Sequence, residues 1–155
     1  MSQALALAKN GQGKSRPNPS VGAIIVKDNK VVGKGSHEIA GKDHAEVIAI
    51  KEAGLLTKDA DLYVTLEPCN HQGKTPPCTN SIISAGISKV YIAMQDPNPL
   101  VNGLGILHLE NNGLKVTKGI MEEEAKKLNL GFQTRMIKSK PYIRSKIAIS
   151  FDGKT

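Results

Sequence analysis

From residue 61 onward the chain alternates between two hydrophobic periods, and that alternation narrows its fold more than any other feature. The segments 61–66 and 89–94 read as strands, short runs rich in β-branched and aromatic residues bounded by Gly, Pro or Asp/Asn. Between them Cys78 opens a helical pattern through Ile82 and Ile83, which Gly86 stops. A loop over Asp96-Pro97-Asn98-Pro99 with Gly103 and Gly105 leads to a short helix ending near Asn111-Asn112-Gly113. A strand over 114–118 and a helix over 121–130 follow. Strands that alternate with helices run parallel and carry the helices as layers. Upstream, residues 2–10 read as a helix and Arg16-Pro17-Asn18-Pro19 as a stiff loop, each Pro fixing its own φ and restricting its predecessor. Residues 21–27 and 30–36 form a hairpin around Asp28-Asn29, and a helix runs from Asp43 to a Gly54 stop. The expected architecture is a layered α/β domain with a partly parallel sheet.

A length of 155 residues holds one domain with a sizeable core and hardly two. The apolar run 141–150 begins a new strand after the polar Lys138-Ser139-Lys140, and nothing follows to pair with it. Residues 1–138 are therefore expected to form one domain, and 139–155 the linker and first strand of a truncated second one. No apolar stretch approaches the roughly 20 residues that span a bilayer. Ala4-Leu5-Ala6-Leu7-Ala8 is too short for a secretory segment and lacks a basic flank before it, so a cytoplasmic protein is expected. The net charge of +7 suits an anionic small substrate or a nucleic acid. With only three Tyr, two Phe and no Trp there is no base-stacking platform, and the Lys residues are scattered. No nucleic-acid or membrane partner is expected.

Two cysteines without a secretion signal point away from a structural disulfide and towards a metal. His44-Ala45-Glu46 stands at a helix start, and Pro68-Cys69 and Cys78 follow. One imidazole and two thiolates suit a single Zn²⁺ and leave its fourth tetrahedral position for water, as a catalytic site needs. A structural site would take four protein ligands, with His71 the obvious fourth. Glu46, unligated, is the candidate proton carrier. His44 and Glu46 are two residues apart, so they converge only if His44 sits near the helix N-cap. The zinc-deaminase signature H-x-E…P-C-x-x-C matches in its first half. It departs in the second, since eight residues separate the cysteines here.

Four segments carry a closer resemblance: Arg16-Pro17-Asn18-Pro19-Ser20-Val21-Gly22, His44-Ala45-Glu46, the run from Glu67 to Cys78 (EPCNHQGKTPPC), and the run from Asp96 to Gly105 (DPNPLVNGLG). Together they resemble the deaminase half of the bifunctional riboflavin-biosynthesis deaminase/reductase family, over nearly the whole chain. The long insert between the cysteines belongs to that family, and the tail KIAISFDGKT resembles the first strand of its NADPH-dependent reductase domain. The resemblance implies a three-layer α/β/α, cytidine-deaminase-like fold around a mixed sheet of about five strands. It implies hydrolytic loss of the 2-amino group from 2,5-diamino-6-ribosylamino-4(3H)-pyrimidinone 5′-phosphate, with one zinc per chain and NADPH needed only by the missing domain. A homodimer or higher oligomer is expected. Carried over residue by residue, Asn18, His37, His71 and Lys74 are substrate-binding candidates. A Pro-stiffened amide suits a pyrimidine edge or a ribose hydroxyl, and a lysine suits a phosphate. Asn18 can also serve as a turn former, His37 as a surface histidine and Lys74 as a solvated loop charge. Asp96 and Asn98 suit Asx turns, and Glu67 suits hydrogen bonds that hold the metal loop. Deamination of another base (cytidine, guanine or a tRNA adenosine) is the alternative activity.

Overall fold

Asp28 and Asn29 both take positive φ, 49° and 60°, the twist that closes a two-residue hairpin. They join β1 (Gly22–Lys27) to β2 (Lys30–Ser36) in the computed structural model, which describes residues 1–73 and 76–154. β3 (Asp61–Leu66) pairs antiparallel with β1, whereas β4 (Lys89–Met94) and β5 (Lys115–Lys118) continue the sheet in parallel. The sheet is thus mixed and five-stranded, in the order β2-β1-β3-β4-β5.

Two helical layers cover this sheet. α1 (Ser2–Ala8) and α5 (Glu122–Leu128) pack on one face, against β1 and β4 respectively. On the other, α2 (Ala45–Ala53) lies over β1 and β2, and α3 (Cys78–Ser84) stands between α2 and α4 (Leu104–Asn111). Alternation along the strands feeds the second interface: Ile25, Leu62, Val64, Val90 and Ile92 are almost wholly buried. α2 lies unusually close to its strand because small residues meet there. Ala45, Ala49 and Ala53 form one stripe of the helix, and a Cβ on Gly35 would come within 1.9 Å of the Ala45 carbonyl oxygen. That contact fixes the depth of the α2 N-terminus, and so of everything attached to it.

The strand and helix expectations hold over residues 22–118, with three departures elsewhere. The first helix ends at Ala8 and tightens into a 3₁₀ turn over Lys9–Gly11. The helix expected over 121–130 breaks at Asn129, and a further helix, α6 (Leu130–Lys138), follows it. The expected strand over 141–150 is absent among the described residues: Ile143, Ile147 and Ile149 are exposed, because no neighbouring strand offers its backbone groups partners. Among the described residues, no helix is long and apolar enough to cross a membrane.

Asn129 ties the break between α5 and α6 to the Pro-rich loop. Its Oδ1 accepts from the Ser20 backbone N–H at 2.8 Å, and its Nδ2 donates to the Ser20 carbonyl at 2.9 Å. The carboxyl ends of β3 and β4 and the N-terminus of α2 then open at the same edge of the sheet, the usual place for a site in an open α/β fold.

Candidate metal centre and active site

His44 is the N-cap of α2, with ψ at 161°, so its ring projects past the helix end while Glu46 lies in the first turn. This is the arrangement the two-residue spacing demands. β3 runs into Glu67-Pro68-Cys69, and Cys78 is the first residue of α3. His44 Nδ1 lies 3.0 Å from Cys78 Sγ and 3.7 Å from Cys69 Sγ, and all three donor atoms fall within 4.8 Å of one another. Donors held tetrahedrally at about 2.0–2.3 Å from a zinc ion stand roughly 3.5–4 Å apart, so this trio fits one Zn²⁺ with little adjustment. The cluster has three members among the described residues. His71 is exposed and lines the adjoining cavity, outside the cluster.

Without an ion the three donors share protons unequally. Cys69 is driven down to about 4, chiefly because its sulfur accepts from the Cys78 thiol, with His44 and the Cys78 N–H (3.4 Å) adding to the effect. Cys78, giving that hydrogen bond from a buried position, is raised, and His44 is raised by its hydrogen bond to Cys69. The helix-end N–H therefore serves Cys69, and a cation held by the three donors would displace the Cys78 proton. Glu46 is 3% exposed, and burial pushes its carboxyl up to about 7.

A cavity of about 390 Å³ opens beside the cluster, within the usual range for a small-molecule site. Asn18, His37, His44, Glu46, Cys69 and His71 all line it, so four dispersed sequence segments meet there. Lys74 lies outside the described residues.

Asn18 and His37 form an oriented pair. The Asp43 carbonyl can only accept, so His37 Nδ1, 3.0 Å away, carries the ring proton. His37 Nε2 then accepts from Asn18 Nδ2 at 3.0 Å, and the Asn18 Oδ1 remains as a free acceptor among the described residues. Burial lowers His37, which keeps this neutral tautomer in place.

Glu67 is buried and accepts from four backbone N–H groups: Asp96 at 3.1 Å, Gly103 at 3.0 Å, Gly105 at 3.0 Å and Ile106 at 3.3 Å. It thereby binds the loop after β4 to the metal loop after β3. Asp96 and Asn98 make the expected Asx turns, accepting from the N–H groups of Asn98 and Leu100. Burial raises Asp96 to about 6. The far wall includes residues that sequence reasoning did not single out for the site, among them Phe132, Arg135 and Met136. The i,i+4 pair Phe132/Met136, continuing from Leu128, was the available signal for α6.

Residues 1–94 match the family model described as the cytidine and deoxycytidylate deaminase zinc-binding region. The riboflavin biosynthesis protein RibD of Aquifex aeolicus is 53% identical over 154 residues, covering 99% of this chain and 43% of that protein. The diaminohydroxyphosphoribosylamino-pyrimidine deaminase of Buchnera aphidicola is 50% identical over 136 residues, covering 88% of this chain and 92% of its own length. A solved structure of Acinetobacter baumannii RibD superposes with a TM-score of 0.96 at 49% identity, covering 99% of this chain and 43% of the other. The chain thus spans less than half the length of the RibD relatives and nearly all of the Buchnera deaminase. Its zinc donors and its fold agree with these matches: the chain belongs to the zinc-binding cytidine and deoxycytidylate deaminase family, in the riboflavin-biosynthesis deaminase branch.

Proposed function

We propose that this chain hydrolyses the 2-amino group from 2,5-diamino-6-ribosylamino-4(3H)-pyrimidinone 5′-phosphate, giving 5-amino-6-ribosylaminouracil 5′-phosphate and ammonia. One observation carries the reading: Glu46, a buried carboxyl group, lines the same cavity as His44 and Cys69, two of the three donors that converge with Cys78 on a zinc site. A buried ionisable group is costly to folding, and a proton-transfer duty explains its presence. The identity to the Buchnera deaminase along almost its full length supports the choice of substrate.

His44, Cys69 and Cys78 hold the metal, which when bound supplies the Lewis acidity that activates water near neutral pH. Glu46 would take one proton of the attacking water on a carboxylate oxygen and give it to the ring nitrogen as the water oxygen bonds to C2, then carry the second proton of that oxygen to the 2-amino group, which leaves as ammonia when the C2–N bond breaks. Asn18 Oδ1 accepts from a ring N–H or a ribose hydroxyl, in the orientation set by His37. His71 contacts the substrate at the exposed edge of the cavity, and Lys74 meets its phosphate. Residues 139–155 are the linker and opening segment of a reductase domain that uses NADPH, a segment that pairs as a strand only against neighbouring strands of that domain, and the chain works as a homo-oligomer. Its two zinc-binding thiols suit the reducing cytoplasm.

The test is ammonia release by the zinc-loaded protein from the diaminopyrimidinone phosphate, with cytidine and guanine as controls. Turnover of the phosphate alone is expected; turnover of cytidine without the phosphate overturns the assignment.

A further inference from the structure

We infer that Arg135, on the helix that closes the cavity, binds the substrate's phosphate; the inference rests on the function proposed above. The charge balance of the cavity motivates it. Three carboxyl groups line the space, those of Glu46, Glu67 and Asp96, and among the described lining residues Arg135 is the one Lys or Arg. A phosphate dianion entering beside carboxyl groups needs a cationic partner, and a guanidinium fork is the side chain best matched to its oxygens.

Arg135 is held ready for that contact. Its Nη2 donates to the Pro17 carbonyl at 2.7 Å, and its Cζ stands 5.7 Å from the centroid of the Phe132 ring. These contacts fix the plane of the fork and use one of its five N–H groups, which leaves the others for a ligand. Pro17 adjoins Asn18, so the cation sits beside the amide assigned to the ring or ribose. Arg135 is exposed whereas Glu46 is buried. A substrate placed with its pyrimidine at Glu46 and its phosphate at Arg135 keeps the reacting ring dry and the dianion near water. The zinc-binding region shared across the family ends at residue 94, and α6 lies beyond it. The shared part carries the deamination chemistry, and α6 adds recognition of the phosphorylated substrate.

The experiment compares the zinc-loaded full chain with R135Q and R135K, using the phosphorylated substrate and its dephosphorylated counterpart. R135Q is expected to raise KM for the phosphorylated compound by roughly 10- to 100-fold, with kcat within about threefold and KM for the dephosphorylated compound unchanged. R135K should recover part of the lost preference, because it restores the charge without the fork. Equal losses on both substrates would overturn the inference and leave Arg135 as a brace between α6 and the Pro17 loop. An unchanged KM would also overturn it and leave the phosphate to Lys74. If the unsubstituted protein releases no ammonia from the phosphorylated compound, the proposed function falls instead. Equilibrium binding of ribose 5-phosphate then still decides the point: weaker binding to R135Q supports the contact, and equal binding removes it.

Discussion

Glu46 holds the tension between folding and chemistry in this domain. Its carboxyl is raised from 4.5 to about 7, so the folded, metal-free chain binds that proton more tightly than the unfolded chain does. The contribution to stability is complete below about pH 4.5 and is lost as pH rises through about 7. A shift of that size corresponds to roughly 3 kcal/mol at most. Metal-free E46Q should therefore exceed metal-free wild type in stability at pH 8 and approach it near pH 4.5, as measured by denaturant unfolding of chelated protein. Identical pH dependence in the two proteins would show that Glu46 carries no such penalty. In the zinc-loaded protein the same substitution removes the proton carrier and no metal ligand. Zinc content should stay at one per chain while kcat falls about 10²- to 10⁴-fold. Near-normal turnover would take the proton-transfer role away from Glu46.

At the scale of elements, the site depends on how closely α2 can approach the hairpin. A methyl group at Gly35 would sit 1.9 Å from the Ala45 carbonyl oxygen, a backbone atom that cannot rotate aside. G35A should destabilise the fold by about 3 kcal/mol or more and weaken zinc binding as well, because α2 carries His44. Unfolding and zinc titration of the variant would check both effects, and unchanged values would mean that α2 can retreat freely. Asn129 plays a comparable part between α5 and α6. N129A strands the buried N–H and carbonyl of Ser20, for an expected loss of roughly 2–5 kcal/mol. Because Ser20 ends the loop that carries Asn18, KM should rise more than kcat falls; an isolated kcat defect would argue against this bracing.

For the whole molecule, α6 belongs with the deaminase layers and the tail beyond it makes few contacts. Removal of residues 141–155 should move Tm by no more than about 2 °C and leave turnover intact. Removal from residue 130 onward strips Phe132, Arg135 and Met136 from the cavity wall and should abolish selective turnover. Similar melting and activity in the two truncations would show that α6 is dispensable. Much of this architecture was legible from local pattern. The strand segments, the helix-stopping glycines and His44-Ala45-Glu46 with Cys69 and Cys78 are short-range signals, since residue chemistry and spacing are properties of the chain itself. Their meaning was legible for the same reason: an imidazole and two thiols favour zinc wherever a fold can unite them. Only the tertiary structure decided which nitrogen of His44 faces the sulfurs, which cysteine receives the helix-end N–H, and how Asp43 turns His37 and hence the Asn18 amide. It alone joined Asn129 to Ser20, more than a hundred residues apart, and swung Arg135 onto Pro17. Those outcomes depend on distances between segments that no local period encodes, and the close fit of α2 on Gly35 and of α6 across the cavity sets them.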